Sequence, residues 1–301
     1  MAGLYIHIPF CTQKCIYCDF LSGTHLSLRE QFVDALIAEM AGYPDFFNND
    51  PLRTIYFGGG TPSLLSVEEL GRMYRAIAER WDVSEVEEFT MECNPDDLSE
   101  EYLRALCELP INRLSIGVQS FVDDELKWLN RRHTATEAIE AVKRAKRAGF
   151  KNITIDLIFG VDGFGEEVLS QSIEQALSLG VQHISAYHLT IEPNTAFGRR
   201  LARGEMREVA EDQSENEYAM LHNRLTEAGF EHYEVSNYAL EGYRAKHNSS
   251  YWQGVEYFGV GVGAHSFNGE GRHYSEQSIE EYVNTMRWTN MTFQETERIE
   301  C

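Results

Sequence analysis

Positive charge is what this sequence most lacks. Twenty-six lysines and arginines stand against forty-eight aspartates and glutamates, a net charge of -22. Such a chain repels phosphate backbones and anionic headgroups, which argues against nucleic acid as a primary partner. No apolar run approaches the length of a membrane span. The amino terminus, Met1-Ala2-Gly3-Leu4-Tyr5-Ile6-His7-Ile8, carries neither a basic n-region nor a small-residue cleavage site. A cytoplasmic location is the resulting expectation. Cysteine is scarce, with six residues. Three crowd into positions 11–18 and the others (Cys93, Cys107, Cys301) are scattered, which excludes a secreted disulfide framework. Cys93 and Cys107 read as small core residues.

What the 301 residues do contain, at 43% hydrophobic content, is enough apolar material for a large core. From Leu4 to about Thr190, short β-rich runs alternate with helical ones. Strands are predicted near 4–8, 53–57, 87–93, 112–118, 152–159 and 182–190, and helices near 28–42, 66–80, 99–108, 134–148 and 165–179. Ser66 with Glu69, and Ser99 with two acids behind it, mark helix starts, while Gly149 and Gly180 mark ends. Six βα units predict an α/β fold, a partial (β/α)6 TIM-type barrel over 1–190. A smaller α+β extension is expected over 191–301, with a helix near 212–228, strands near 231–235 and 257–262, and a last helix near 276–287. The polar end at Cys301 has no stop signal, and a further segment is expected beyond it.

Strand parity locates the interior. Leu4, Ile6 and Ile8 share one face and Tyr5 and His7 the other; Phe89, Met91 and Cys93 oppose Thr90 and Glu92. Likewise Leu114, Ile116 and Val118 oppose Ser115, Gly117 and Gln119, and Ile153, Ile155 and Leu157 oppose Thr154 and Asp156. Outer helices demand the apolar face. Tyr5, Glu92, Gln119 and Asp156 are therefore expected to point inward near the carboxyl ends of their strands, where such folds bind ligands. The plainer alternative, individually satisfied interior polar groups, suits one strand better than four.

Cys11-Thr12-Gln13-Lys14-Cys15-Ile16-Tyr17-Cys18 spaces its thiols C-x3-C-x2-C. Thiolates suit iron-sulfur clusters and zinc. Structural zinc wants four ligands, and the second Cys or His pair is missing nearby. Three ligands on a short loop fit a [4Fe-4S] cluster with one iron left open.

This spacing, with an aromatic before the last Cys, resembles the radical S-adenosylmethionine (SAM) signature. Gly58-Gly59-Gly60-Thr61-Pro62 resembles that superfamily's glycine segment. Met91-Glu92-Cys93-Asn94-Pro95, Gly117-Val118-Gln119-Ser120, Leu129-Asn130-Arg131 and Asp156-Leu157-Ile158-Phe159-Gly160 resemble segments of the oxygen-independent coproporphyrinogen III dehydrogenase branch, HemN, and its HemW-type relatives. The resemblance runs from Tyr5 to about residue 267. It implies that Cys11, Cys15 and Cys18 ligate the cluster and that Tyr5 contacts SAM beside it. It puts Gly59, Gly60 and Thr61 at the methionyl moiety, and Glu92, Gln119, Arg131 and Asp156 at the charged and hydroxyl groups. Without the family, Arg131 would read as an ordinary cation on a helix end.

The dehydrogenases of this group are expected to carry a fourth cysteine two positions after the third. Here that position is Phe20, a substitution that resembles the HemW-type haem chaperones. His247-Asn248-Ser249-Ser250-Tyr251-Trp252 fits their H-N-x-x-Y-W motif. The resemblance implies haem contact by His247, Tyr251 and Trp252: an imidazole for the iron, aromatic faces for the ring, and Arg244 or Lys246 for the propionates. The plain alternative is a polar turn with His247 hydrogen-bonded to backbone. His7, His188 and His265 read as structural. The run Gly259-Val260-Gly261-Val262-Gly263 lacks the following helix and the acidic partner of a dinucleotide site.

Two functions follow as expectations. One is a haem chaperone that holds a [4Fe-4S] cluster, SAM and haem, and delivers haem to haemoproteins or respiratory enzymes, with peripheral membrane docking as an option. The other is a coproporphyrinogen III dehydrogenase, an enzyme that oxidatively decarboxylates propionate side chains.

Overall fold

In the computed structural model, residues 2–275 and 277–285 are described, together with the backbone of 294–295. Six parallel strands form its frame: β1 (Ala2–Ile8), β2 (Leu52–Gly59), β3 (Glu88–Cys93), β4 (Arg113–Gln119), β5 (Ile153–Phe159) and β6 (His183–His188). Each pairs with the next in sequence order, so the unit is an open, partial TIM-type barrel. The connecting helices are α1 (Arg29–Gly42), α2 (Val67–Arg80), α3 (Glu100–Leu106), α4 (Asp123–Trp128), α5 (Ala135–Ala148) and α6 (Glu166–Ser178).

Local chemistry explains the helix limits. Ser66 and Glu69 form the expected capping box on α2, and Thr134 with Glu137 forms a second on α5. Gly149 ends α5 at φ 112°, in the left-handed region. The apolar parity faces pack under these helices: Leu4, Ile6, Ile8, Ile116, Ile153 and Ile155 are fully buried. α4 was not expected from the sequence, because six residues, half of them acidic, carry no readable period.

The chain beyond residue 190 continues with α7 (Ala196–Ala202), α8 (Glu211–Glu227), β7 (Glu231–His232), β8 (Asn237–Ala239), α9 (Lys246–Trp252), β9 (Tyr257–Val260), β10 (His265–Phe267), β11 (Gly271–Tyr274), α10 (Ile279–Thr285) and β12 (Gln294–Glu295). These strands do not build a sheet of their own. The order β12-β11-β10-β9-β1-β2-β3-β4-β5-β6-β8-β7 adds them to both edges of the barrel sheet, so the expected boundary at 190 falls within one continuous sheet. β9 joins β1 in parallel, and β8 joins β6 antiparallel. The glycine run ends β9 and begins the tight connection to β10, with no helix after it. The last predicted helix is seen over Ile279–Thr285; its expected ends at 276 and 286–287 lie outside the described residues.

Residues after 190 also approach the amino-terminal end of the barrel strands. The Glu88 carboxylate, at the start of β3, accepts from the backbone N–H groups of Lys246 and His247, both at 2.9 Å. An acidic group at those two donors starts α9 in place of a local cap. Arg113 lies 3.9 Å from Glu88 and donates to Asn152, Thr154 and the Tyr243 carbonyl, which ties the segment before α9 to β4 and β5.

Candidate functional site

The carboxyl ends of β1 to β6 surround a cavity of about 540 Å³. Cys11, Cys15, Cys18, Gly59, Gly60, Thr61, Glu92, Gln119, Arg131 and Asp156 all line it, ten sequence-predicted residues drawn from six separate segments. Tyr5 does not line it. Its side chain lies within the barrel, with its hydroxyl 3.1 Å from His7 Nδ1. Phe20 stands at the cavity rim, 67% exposed.

The cysteine loop leaves β1 and is tied back to its own base. Gly23 N–H donates to the Pro9 carbonyl at 2.7 Å, Cys11 N–H to that of Gly23 at 3.0 Å, and His7 Nε2 to that of Leu21 at 2.9 Å. Gly60 must come close: a Cβ there would lie 2.7 Å from the Phe10 carbonyl oxygen. That approach lets the Thr61 hydroxyl reach Cys11 Sγ at 3.5 Å. Arg131 Nη1 donates to Cys15 Sγ at 3.2 Å. Burial pushes the Cys11 thiol up and the Cys18 thiol up to about 11. Uncharged thiols are the consequence until a cationic centre draws the protons off. Among the described residues, no three His, Cys, Asp or Glu side chains converge closely enough to hold one metal ion. The thiols face a common space rather than a common point, and sulfhydryl ligands with directed N–H and O–H donors fit an iron-sulfur cluster.

The opposite wall is polar. Glu92 takes the Tyr56 hydroxyl at 2.8 Å and the Gly59 N–H at 3.0 Å. Burial raises Glu92 to about 7, against these two bonds and with the Asp156 charge adding to the rise. Asp156 is raised to about 6, again by burial, with hydroxyls of Ser185 and Ser115 opposing. Two acids near neutrality in one cavity make a site that gains from a cationic ligand. Gln119 ends β4 at φ 69°, a left-handed conformation unusual for a side chain of its length.

Arg131 is no surface cation. Nη2 donates at 2.6 Å to both Asn94 Oδ1 and the Gly117 carbonyl, and Nε is buried without a partner. Burial opposes its charge, yet the interactions with Tyr17 and Cys15 hold its pKa above the ordinary value. An orphaned guanidinium N–H and two carboxyls suit a ligand that bears both a carboxylate and cationic groups, as SAM does. Sequence reading missed Tyr56, Asn94, Ser115 and Ser185 as contributors. Tyr56 was legible by parity, since it shares the inward face of β2 with Thr54 and Gly58; Asn94 follows its strand and had no such signal.

The second predicted cluster lies elsewhere. His247, Tyr251 and Trp252 are on α9, at the amino-terminal end of the barrel strands, and do not line the cavity. Trp252 is 67% exposed. His247 is 1% exposed, with Nδ1 2.8 Å from the Thr54 hydroxyl and Nε2 2.8 Å from that of Tyr251. Both ring nitrogens thus have partners, and those partners are side chains, not the backbone group of the plain alternative. Arg244 pairs with Glu231 and Lys246 with Glu87. Cys93 is buried as expected, but Cys107 is exposed: it caps the end of α3, outside the core. His7 lies buried in the barrel, and His188 and His265 are exposed.

Comparison with known proteins shows the family and the fold. The radical SAM superfamily model matches residues 5–176. The haem chaperone HemW of Lactococcus lactis subsp. lactis is 43% identical over 87% of this chain and 69% of its own length. That of Bacillus subtilis is 36% identical over 99% and 79%, and that of Escherichia coli 38% over 87% and 69%. Among solved structures, the coproporphyrinogen III oxidase HemN from Escherichia coli, a radical SAM enzyme, superposes with a TM-score of 0.81 at 21% identity, over 95% of this chain and 70% of that one. At that identity the likeness is one of fold.

Proposed function

The chain belongs to the radical SAM superfamily and, within it, to the HemW family, and from that premise we propose that it is a haem chaperone. It holds a [4Fe-4S] cluster on Cys11, Cys15 and Cys18, binds SAM in the adjoining cavity, and passes haem to haemoproteins or respiratory enzymes. The observation that carries the reading is the meeting of three thiols, two carboxyls and Arg131 around one space.

Each group has a part. Gly59, Gly60 and Thr61 present backbone and a hydroxyl to the methionyl end. Arg131, with its free Nε, takes a carboxylate; Glu92 and Asp156 accept from hydroxyl or amino groups, and Gln119 closes the far side. When bound, the cluster supplies one-electron chemistry and an open iron. Phe20, in place of a fourth thiol, leaves an exposed aromatic ring at the cavity rim.

Haem contact belongs to the other end, at the exposed Trp252 with Tyr251 before it on α9, whose Ser249, Ser250 and Gln253 line a small pocket together with Arg53, Arg244 and Lys246. Aromatic faces pack on a porphyrin, and the cations meet its propionates once they exchange their present acidic partners. His247 becomes an iron ligand only if Tyr251 leaves its Nε2. Titration of anaerobically reconstituted protein with haemin tests this. A Soret shift is expected in the wild type, with about tenfold weaker binding in Trp252→Ala. A wild type without the shift, or a Trp252→Ala chain that binds equally well, overturns the site.

A further inference from the structure

His247 occupies the floor of the barrel, and two routes lead from it to the groups around the cavity, each beginning in a ring contact and continuing through hydrogen bonds. Its ring lies 5.1 Å from Tyr56 with planes at 30°, and 6.4 Å from Tyr5 at 27°. The two tyrosines, paired in register across β1 and β2, are 5.9 Å apart. Stacked rings of this kind fix one another's tilt.

Room for this arrangement is made by Gly3. A Cβ there would lie 3.1 Å from the Thr54 hydroxyl oxygen and 3.5 Å from the imidazole. Thr54 in turn holds Nδ1, and Glu88 holds the His247 backbone N–H. The residue is thus held at its ring and its backbone, and burial pushes His247 down to about 3, so it stays a neutral hydrogen-bonding group.

Both tyrosines pass the position upward. Tyr56 donates its hydroxyl to Glu92, whose second oxygen takes the Gly59 N–H. Tyr5 donates to His7 Nδ1, and His7 Nε2 donates to the Leu21 carbonyl where the cysteine loop returns. One route ends on the predicted SAM pocket and the other on the cluster loop.

We propose that His247 is a positioning residue for the opposite end of the barrel, acting through Tyr56 on Glu92 and through Tyr5 and His7 on the cysteine loop. The inference rests on the reading of that cavity as the SAM pocket. It gives the H-N-x-x-Y-W motif a second role besides haem contact, and it means that displacement of His247 at the floor is felt at the thiols. A histidine that merely filled the barrel floor would affect stability and nothing more.

The test uses reconstituted full chains carrying His247→Ala, His247→Asn and Tyr56→Phe. Iron content should match the wild type. The SAM concentration that half-converts the electron paramagnetic resonance spectrum of the reduced cluster should rise about tenfold in His247→Ala, with partial recovery in His247→Asn, whose amide can still pair with Thr54. Hydrogen exchange at the Cys11 and Gly23 amides should quicken about tenfold in His247→Ala. Unchanged titration and unchanged exchange in that variant overturn the proposal. Where His247→Ala does not fold, Tyr56→Phe decides: the ring stays and only the donation to Glu92 goes, so an unaltered SAM titration refutes the first route. Should wild-type protein itself show no response to SAM, the pocket reading has failed. Exchange in His247→Ala without the cluster then still judges the second route, accelerated if it holds and unchanged if it does not.

Discussion

Arg131 reaches Cys15: its Nη1 donates to the sulfur at 3.2 Å while Nη2 holds Asn94 and the Gly117 carbonyl at 2.6 Å. A residue beyond the end of α4 thereby ties the cysteine loop to the ends of β3 and β4. The guanidinium does this because its donors fork in a fixed plane.

Replacing Arg131 by lysine should keep the charge and lose the fork. Iron loading is expected to persist, since the thiols remain, whereas SAM binding should weaken by about 1.5–3 kcal/mol, the worth of hydrogen bonds to a charged group. Isothermal titration of reconstituted Arg131→Lys measures this, and an affinity equal to wild type would sink the assignment.

Glu92 and Asp156 predict how binding depends on pH. Burial lifts them to about 7 and about 6, above the values of an unfolded chain. The folded protein therefore holds their protons more tightly, so the stability they contribute is present below about pH 4 and is lost as pH rises through 6 to 7. A cationic ligand reverses this by favouring the ionised forms. The increase in melting temperature produced by SAM should grow between pH 6 and pH 8, and Glu92→Gln should flatten the slope. A thermal-shift series across that range checks it; a SAM effect that shrinks with rising pH contradicts it.

Glu88 and Arg113 are both nearly inaccessible, with side-chain exposures of 4% and 2%. Glu88→Ala would strand the Arg113 charge and two backbone donors at the start of α9. A loss of about 3–5 kcal/mol is expected, read from urea unfolding. Glu88→Gln, which can accept one of the two N–H bonds, should lose less; equal losses would show that the charge alone matters.

Much of the cavity could be read before folding. Cys11, Cys15 and Cys18 are neighbours in sequence, and their spacing alone implied one centre. Tyr5, Glu92, Gln119 and Asp156 were found by parity, because a strand alternates its faces whatever lies around it. Parity did not separate layers: it assigned Tyr5 to the interior correctly but not to a level below the cavity, which depends on the register between β1 and β2. Arg131 escaped parity, since a loop residue has no periodicity to betray where its side chain goes, and only the resemblance pointed to it.

What the sequence by itself determined is therefore the chemistry and the βα frame: soft ligands on a short loop, polar residues on one strand face, and caps that end helices locally. Tertiary structure decided where distant pieces meet. Strands after residue 190 extended both edges of the barrel sheet, because the edges of β1 and β6 offered unpaired backbone groups. α9, seven residues long and without a local cap, takes its starting acid from Glu88, some 158 residues earlier. That contact buries His247 beneath Tyr5 and Tyr56. A motif that reads in sequence as an open ligand became part of the barrel floor, since only the folded chain supplies Thr54 and Tyr251 to both of its nitrogens.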